Sequence, residues 1–413
     1  MQLRIKKLHN YLVFPKPNLC DGFLLLWVVY WMQGLVYTEG SAVSQLILAA
    51  NLGLSIFFTI KLLLSQEPMP FYFKGMSILL LMFSFYGIIP IMEGRTFFIA
   101  ATGNEVESYN YLKAIYISFL PIAPFYWFAR NGYLSLSRLR AWTFIFVISA
   151  TMTYIKMGLQ AIEEMGLYRS DLNERTNNGG YFVLWLLPAL FIFRQKLIQF
   201  VLLAYVMLLV AASMKRGALL CGAICSAYFM FIVLKQATPQ QRKWLLLAIA
   251  IFIIAGIVGF LVLMGDNLLL MQRIEDTLDG KTSNRDNLYG EFIEYLFHRQ
   301  SLLTMIIGNG ANSTLEISEN YAHNDWLEIG ANQGIIGVGI YLFYFITFWK
   351  TIKSVLVPYI KAGLILLLLI LILRSMFSMS YTAMPYIGAA YLSVFLAHSD
   401  DNPTPPEASC QNN

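Results

Sequence analysis

The chain has 413 residues, 58% of them hydrophobic and only 13% charged, with a formal net charge of +5 and a mean hydropathy of +0.60. Soluble domains carry roughly 25% charged residues, so a set of water-soluble domains is excluded and the solvent for most of the chain is lipid. The positive charge is scattered between apolar runs rather than gathered on one solvated face, which excludes a nucleic-acid-binding stripe.

A membrane-spanning helix needs about 20 predominantly apolar residues. About twelve runs qualify: 20–38, 43–64, 74–93, 111–129, 140–157, 180–194, 196–214, 216–235, 244–264, 327–349, 356–374 and 382–398. The expected fold is therefore all-α, a polytopic integral membrane protein with one long, partly helical loop. The first run follows basic residues and precedes Gly40-Ser41-Ala42, as a signal peptide would. It is longer than the roughly 7–15 residues of a signal core and reads as an anchor. The sixth and twelfth runs are short and fit tilted or partly re-entrant segments. Cys221 and Cys225 share one face of the eighth run. Two thiols are too few for a zinc site, so they read as small buried hydrophobes.

This divides the chain into a bundle of about nine helices at 1–264, a loop at 265–326 with an amphipathic helix, further membrane helices at 327–398, and a polar, Pro-containing tail at 399–413 that reads as disordered. Lys and Arg in short loops set the orientation. Lys6, Lys7, Lys16, Arg138, Arg140, Arg194, Lys196, Lys235, Arg242, Lys243, Lys350 and Lys353 all fall on the N-terminal side. Both termini are expected in the cytoplasm, with the acidic loops outside.

Some cations break this bias. Lys215 and Arg216 lie in a tight outer turn, Arg374 ends the eleventh run, Arg175 and Arg95 lie in outer loops, and Arg285 and Arg299 lie in the long loop. Such residues can simply face lipid phosphates. Several arginines on one membrane face also suit a diphosphate, which a guanidinium grips bidentately. Arg285 sits in the first turn of a helix starting near Ser283-Asn284-Arg285-Asp286, where the macrodipole opposes a cation. Either Asp286 compensates it or an anion does.

The most distinctive stretch is Ala322-His323-Asn324-Asp325-Trp326-Leu327-Glu328, followed by Gly330, Gly334 and Gly337. Asn324 or Asp325 is a good N-cap. The glycines read as a small-residue stripe for close helix packing. His323 is a capping or solvated residue on the ordinary reading. On the chemical reading it is a neutral base for an incoming hydroxyl.

His-Asn-Asp-x-Leu-Glu with Gly-x-x-Gly after a long outer loop resembles the O-antigen polymerase and O-antigen ligase superfamily. The resemblance extends to Lys-Arg-Gly-Ala-Leu-Leu at 215–220, Asn-Arg-Asp-Asn-Leu-Tyr at 284–289 and Ile-Gly-Asn-Gly at 307–310. Glu174-Arg175-Thr176-Asn177-Asn178-Gly179-Gly180 matches less closely. Together these motifs cover roughly 170–350. The resemblance implies a glycosyltransferase that takes a glycan from undecaprenyl diphosphate to an acceptor hydroxyl at the periplasmic face of a bacterial inner membrane. It implies no metal and no cofactor, and the sequence contains no Asp-x-Asp. His323, Arg216 and Arg285 would be catalytic. Arg175, Arg374, Lys215, Asn324, Asp325 and Glu328 would bind the diphosphate or the acceptor. The partners implied are the lipid-linked oligosaccharide, the bilayer, and a chain-length regulator or a lipid A core acceptor.

The motifs do not separate a repeat-unit polymerase from a ligase to lipid A core; the polymerase is the reading taken here. A flippase or transporter also fits twelve spans. It would place ionisable groups mid-membrane and pair two sequence halves, and neither feature is visible.

Overall fold

The computed structural model describes residues 16–65, 68–99, 104–168, 177–247, 249–250, 254 and 285–399. The protein is an all-α polytopic membrane protein. Among the described residues, seven helices are long and apolar enough to cross a membrane. They are α2 (Ala42–Leu64), α3 (Phe71–Met92), the broken span formed by α4 (Tyr109–Phe119) and α5 (Ile122–Arg130), α6 (Leu136–Tyr168), α9 (Arg216–Gln236), α13 (Asp325–Ser354) and α14 (Pro358–Phe377). Four shorter apolar helices accompany them: α1 (Leu19–Trp31), α7 (Gly179–Val183) continuing as a 3-10 helix to Phe191, α8 (Lys196–Ala212) and α15 (Tyr386–Ala397). Each coincides with one expected span. The ninth, 244–264, lies largely outside the described residues; 244–247 are helical.

Long apolar segments close their own backbone hydrogen bonds, which is what permits them in lipid. Breaks then need a local cause. Pro121 separates α4 from α5, and Pro188 lies within the 3-10 stretch. The loop 285–326 carries α10 (Arg285–Glu294), α11 (Leu302–Ile307) and α12 (Thr314–Ser318). A hairpin of β1 (Thr96–Ile99) and β2 (Asn104–Glu107) follows α3, with Thr96 opposite Glu107. The bundle end that carries this loop and hairpin is called the loop face below.

The helices sort by burial. The apolar window of α2 is 22% buried, whereas that of α14 is 61% buried, so α2 borders lipid and α14 is central. α14 packs against the 184–191 segment, α9, α13 and α15. α13 lies along α3, with Gly75 against Thr347 and Tyr344. At the opposite end, Asp21 completes a capping box with Asn18, pairs with Arg138 and accepts from Trp142 Nε1 at 2.6 Å.

The glycines of the histidine motif do not form one packing stripe. Gly334 has φ 67° and breaks α13. A Cβ there would collide with the backbone of Ile306 and Gly308. At Gly330 the nearest outside atoms would be 3.7 Å away, which leaves room for a methyl. The stripe expectation is therefore corrected. Gly334 serves a kink and a loop contact, and Gly330 is not required by space.

Candidate active site

Four segments meet at the loop-face end of α14. The first is the turn between α8 and α9. Ser213 ends α8, Met214 takes a left-handed φ of 53°, and Lys215 occupies the N-cap of α9 with its N–H donating to Ser213 Oγ at 3.3 Å. Arg216 is thus the first helical residue, half-buried. Gly217 follows because a Cβ would strike the Tyr181 hydroxyl and Phe377.

The second segment is 177–181. Arg175 lies outside the described residues, but Asn177 donates its N–H to Ser213 O at 2.9 Å and its Nδ2 to Tyr154 O at 2.8 Å. Tyr181 donates to Phe377 O at 3.3 Å. The third segment is the end of α14 and the loop after it. Arg374 is 3% exposed. Its Nη1 donates to Ala383 O at 3.0 Å, and its guanidinium lies 5.5 Å from the rings of both Tyr181 and Trp185. Its Nε has no hydrogen-bond partner among the described residues. Asp325 lies within Coulomb reach.

The fourth is the start of α13. His323 is exposed and left-handed, φ 52°, a conformation in which His is enriched among non-glycine residues. It turns the chain into Asn324, whose Oδ1 accepts from the N–H groups of Trp326 at 3.0 Å and Leu327 at 3.3 Å. Asn324 Nδ2 donates to Met376 O at 3.3 Å, and Trp326 Nε1 to Ser375 Oγ at 3.2 Å. The helix start is thereby tied to the last turn of α14.

Asp325 and Glu328 are fully buried. Asp325 accepts from Tyr341 Oη at 2.6 Å, Ser380 N at 2.7 Å and Ser380 Oγ at 2.6 Å. It clamps the 378–385 loop to α13. Glu328 accepts from Ala322 N at 2.9 Å, Thr314 Oγ1 at 2.5 Å and Asn332 Nδ2 at 3.4 Å. It fixes the residue before His323 against α12. A buried carboxylate costs several kcal/mol unless its lone pairs are met, and here they are met by four hydroxyl and amide groups and two backbone N–H groups. Tyr321, half-buried beside this network, has its phenol pushed up to about 12 by desolvation and the charge of Glu328. It stays protonated across the physiological range.

Arg285 opens α10; its side chain is not among those described. The helix itself docks on the histidine segment, with Phe292 buried against Ala322 and Ala331 and with Leu288, Leu296 and Leu327 around them. Arg95 and Arg299 do not join the α14 cluster. Arg95 pairs with Glu93 at 2.6 Å and Glu316 at 3.6 Å, and Arg299 with Glu294 at 2.8 Å. Among the described residues, no group of three or more His, Cys, Asp or Glu side chains is placed to hold a metal ion.

The arrangement gathers a buried guanidinium, a helix start bearing Lys215 and Arg216, and an exposed imidazole at one end of one helix. Tyr181, Trp185, Tyr341, Ser380 and Asn332 build it, and the sequence reading did not single them out. Most of their roles come from contacts across long chain separations, which leave no local pattern; Asn332 joins Glu328 one turn away and Ser313 and Thr314 from afar. Asn177 did stand inside a quoted motif.

No curated protein matches the chain. Residues 199–342 match the O-antigen ligase family, a stretch that holds Arg216, Arg285 and His323, and the match supports the resemblance to the O-antigen ligase and polymerase superfamily that the motifs carry.

Proposed function

We propose that the protein is a polyprenyl-diphosphate-dependent glycosyltransferase of a bacterial inner membrane. It moves a glycan from undecaprenyl diphosphate to an acceptor hydroxyl at the periplasmic face, as the repeat-unit polymerase of an O-antigen, capsule or exopolysaccharide. The observation that carries this reading is the meeting of the Arg216 turn, Arg374 and the His323 turn at one end of α14.

The acceptor oxygen attacks the anomeric carbon from the side opposite the diphosphate. The carbon–oxygen bond to the diphosphate breaks, and its electron pair leaves with undecaprenyl diphosphate. The proton of the acceptor hydroxyl passes to His323, and the anomeric centre inverts. The leaving oxygens gain charge along this path, so guanidinium groups on them stabilise the transition state more than the ground state. Arg216 and Arg285 take that role, supported by Arg374, Lys215 and Arg175. Guanidinium charge is what a metal ion supplies in other transferases, so the reading is metal-independent. Asn324 caps the helix beside the base. Asp325 and Glu328 act as positioning residues, since each is buried and saturated with hydrogen bonds.

The second reading, a ligase that attaches the glycan to lipid A core, is favoured by the description of the matched family. Complementation separates the two. Polymerase-deficient and ligase-deficient strains receive wild type, His323→Ala or Arg216→Ala, and glycan ladders are compared at matched membrane levels. Long chains restored by wild type and lost in both variants support the polymerase. Restored attachment to lipid A core supports the ligase. Full activity in both variants sinks the mechanism.

A further inference from the structure

A loop that stands outside the membrane shows polar groups to water, and α11 does not. It reads Leu-Leu-Thr-Met-Ile-Ile, and none of its residues is buried. Leu302 is 71% exposed and Leu303 65%, with Ile306 and Ile307 exposed beside them. Phe297, on the turn that leads into it, is exposed as well. Single exposed apolar side chains are ordinary, whereas a contiguous patch marks a surface that something apolar covers.

The depth of α11 says what covers it. Tyr86 of α3 donates its hydroxyl to Ile307 O and accepts at its own carbonyl from Ala311 N at 3.3 Å. Tyr86 lies six residues before Met92, where α3 ends, about 9 Å down the helix. Exposed apolar side chains continue along α3 beyond that level, at Ile88, Ile91 and Met92, before the first charges at Glu93 and Arg95. α13 gives the same answer. The backbone of Ile306 and Gly308 lies against Gly334, nine residues from Asp325, about 14 Å down that helix. Ile335 and Ile336 are exposed beside this contact and open a row that runs on through Leu342 and Ile346. α13 is about 45 Å long and exceeds the hydrocarbon thickness by about 15 Å. Lys350 and Lys353 take up part of that excess at the far end. The contacts of α11 therefore fall at the level of the acyl chains, and its apolar face continues the lipid-facing surface of α3 and α13. The polar boundary lies above it, where Arg95, Arg299 and Glu316 line one cavity of about 440 Å³.

Hydrocarbon admits irregular backbone only where the protein itself meets the polar groups. The turn that leaves α11 fulfils this condition. Gly308 N donates to Thr304 O at 2.7 Å, Asn309 N to Ala331 O at 3.3 Å and Gly310 N to Asn332 O at 2.9 Å, while Ile307 O accepts from Tyr86. At the other end Ser301 Oγ accepts from Thr304 N at 3.2 Å. A turn in water needs no such set, because solvent would serve.

We propose that α11, together with Phe297, is a re-entrant element: the loop returns into the leaflet on the loop face and packs Leu302, Leu303 and Ile306 against acyl chains. This immersion needs only the membrane fold and goes beyond the glycosyltransferase reading. It bears on the site through α10, which precedes α11 and holds Ala322 through Phe292, so the immersed segment sets the height of the His323 turn over the bilayer.

The test uses the full-length protein in lipid nanodiscs, with the native cysteines replaced and one nitroxide label per variant. Leu302→Cys and Leu303→Cys report α11, Leu342→Cys is the lipid-facing reference on α13, and Ser318→Cys is the reference in the loop. Power saturation compares collisions with oxygen, which concentrates in hydrocarbon, and with a nickel chelate, which stays in water. Both α11 labels are expected to favour oxygen as Leu342→Cys does, and Ser318→Cys to favour nickel. Phe297→Cys supplies a further site, so that misfolding of one variant leaves the depth readable. A nickel preference at the α11 positions overturns the immersion. Weak collision with both reagents there also overturns it, since a protein surface, from a second copy or from another segment of this chain, would then cover the patch.

Discussion

Arg374 is the residue whose environment most needs a reason. It is 3% exposed, forms no direct ion pair among the described residues and leaves Nε unpaired. Ring faces and one carbonyl offset only part of the cost of a buried charge. An anionic ligand would supply the rest. Arg374→Met should therefore leave the thermal midpoint unchanged or raise it, while weakening inhibition by undecaprenyl diphosphate roughly 10-fold to 100-fold, the worth of a charge-assisted hydrogen bond. A midpoint that collapses with inhibition intact would make Arg374 purely structural. His323 invites a different test. A base must be neutral, so kcat/KM should fall on acidification as the imidazole takes up a proton. His323→Ala should lose about 100-fold or more in rate and lose that acid limb. Tyr321 cannot supply the limb, because desolvation and Glu328 push it up to about 12. Asp325→Asn should act indirectly. The amide cannot accept at its nitrogen from Tyr341 and Ser380, so the 378–385 loop should exchange its amide hydrogens faster while the helices keep their protection.

The α13 kink shows how a motif can be legible and its purpose hidden. The break at Gly334 leaves the carbonyls of Ala331 and Asn332 short of helical partners. Asn309 N donates to Ala331 O at 3.3 Å, Asn309 Nδ2 to the same oxygen at 3.2 Å, and Gly310 N to Asn332 O at 2.9 Å. Ile-Gly-Asn-Gly at 307–310 is thus the cap for a broken helix more than 20 residues downstream. In sequence, Gly330, Gly334 and Gly337 look alike, because periodicity reports a shared face and not a dihedral angle. The substitutions should separate them. Gly334→Ala meets both a left-handed φ and the backbone of Ile306 and Gly308, so it should cost at least about 1–3 kcal/mol and lower the thermal midpoint in detergent. Gly330→Ala finds 3.7 Å of clearance and gains up to about 1 kcal/mol of helix propensity, so it should be neutral or stabilising. If both are equally damaging, a packing stripe is the better account.

At the scale of the molecule, hydropathy located the spans because a bilayer demands about 20 apolar residues whatever the fold. It could not order them. Nothing in the apolar run of α14 distinguishes it from α2, yet one is the hub and the other borders lipid, since both read as uniformly apolar. The candidate residues were legible as motifs, and their convergence was not, because Asn324 and Met376 or Tyr181 and Phe377 are joined only by topology. Charge asymmetry adds one statement the packing does not: which end faces the cytoplasm. Positive loops stay inside, so the end carrying α10 to α12 and the His323 turn should lie outside. Cysteine labelling reads this directly, in a background with the native thiols replaced by serine or alanine. Ser318→Cys, in the loop beside the site, should react with a membrane-impermeant maleimide in cells whose outer membrane alone is opened. Ser354→Cys, at the far end of α13, should react only after the inner membrane is breached. α13 starts at Asp325, shortly after the first position, and ends at the second after 30 residues, about 45 Å of helix, so the two labels report opposite sides of one bilayer. The reverse pattern would put the diphosphate chemistry on the cytoplasmic side, where the proposed polymerase and ligase roles both fail.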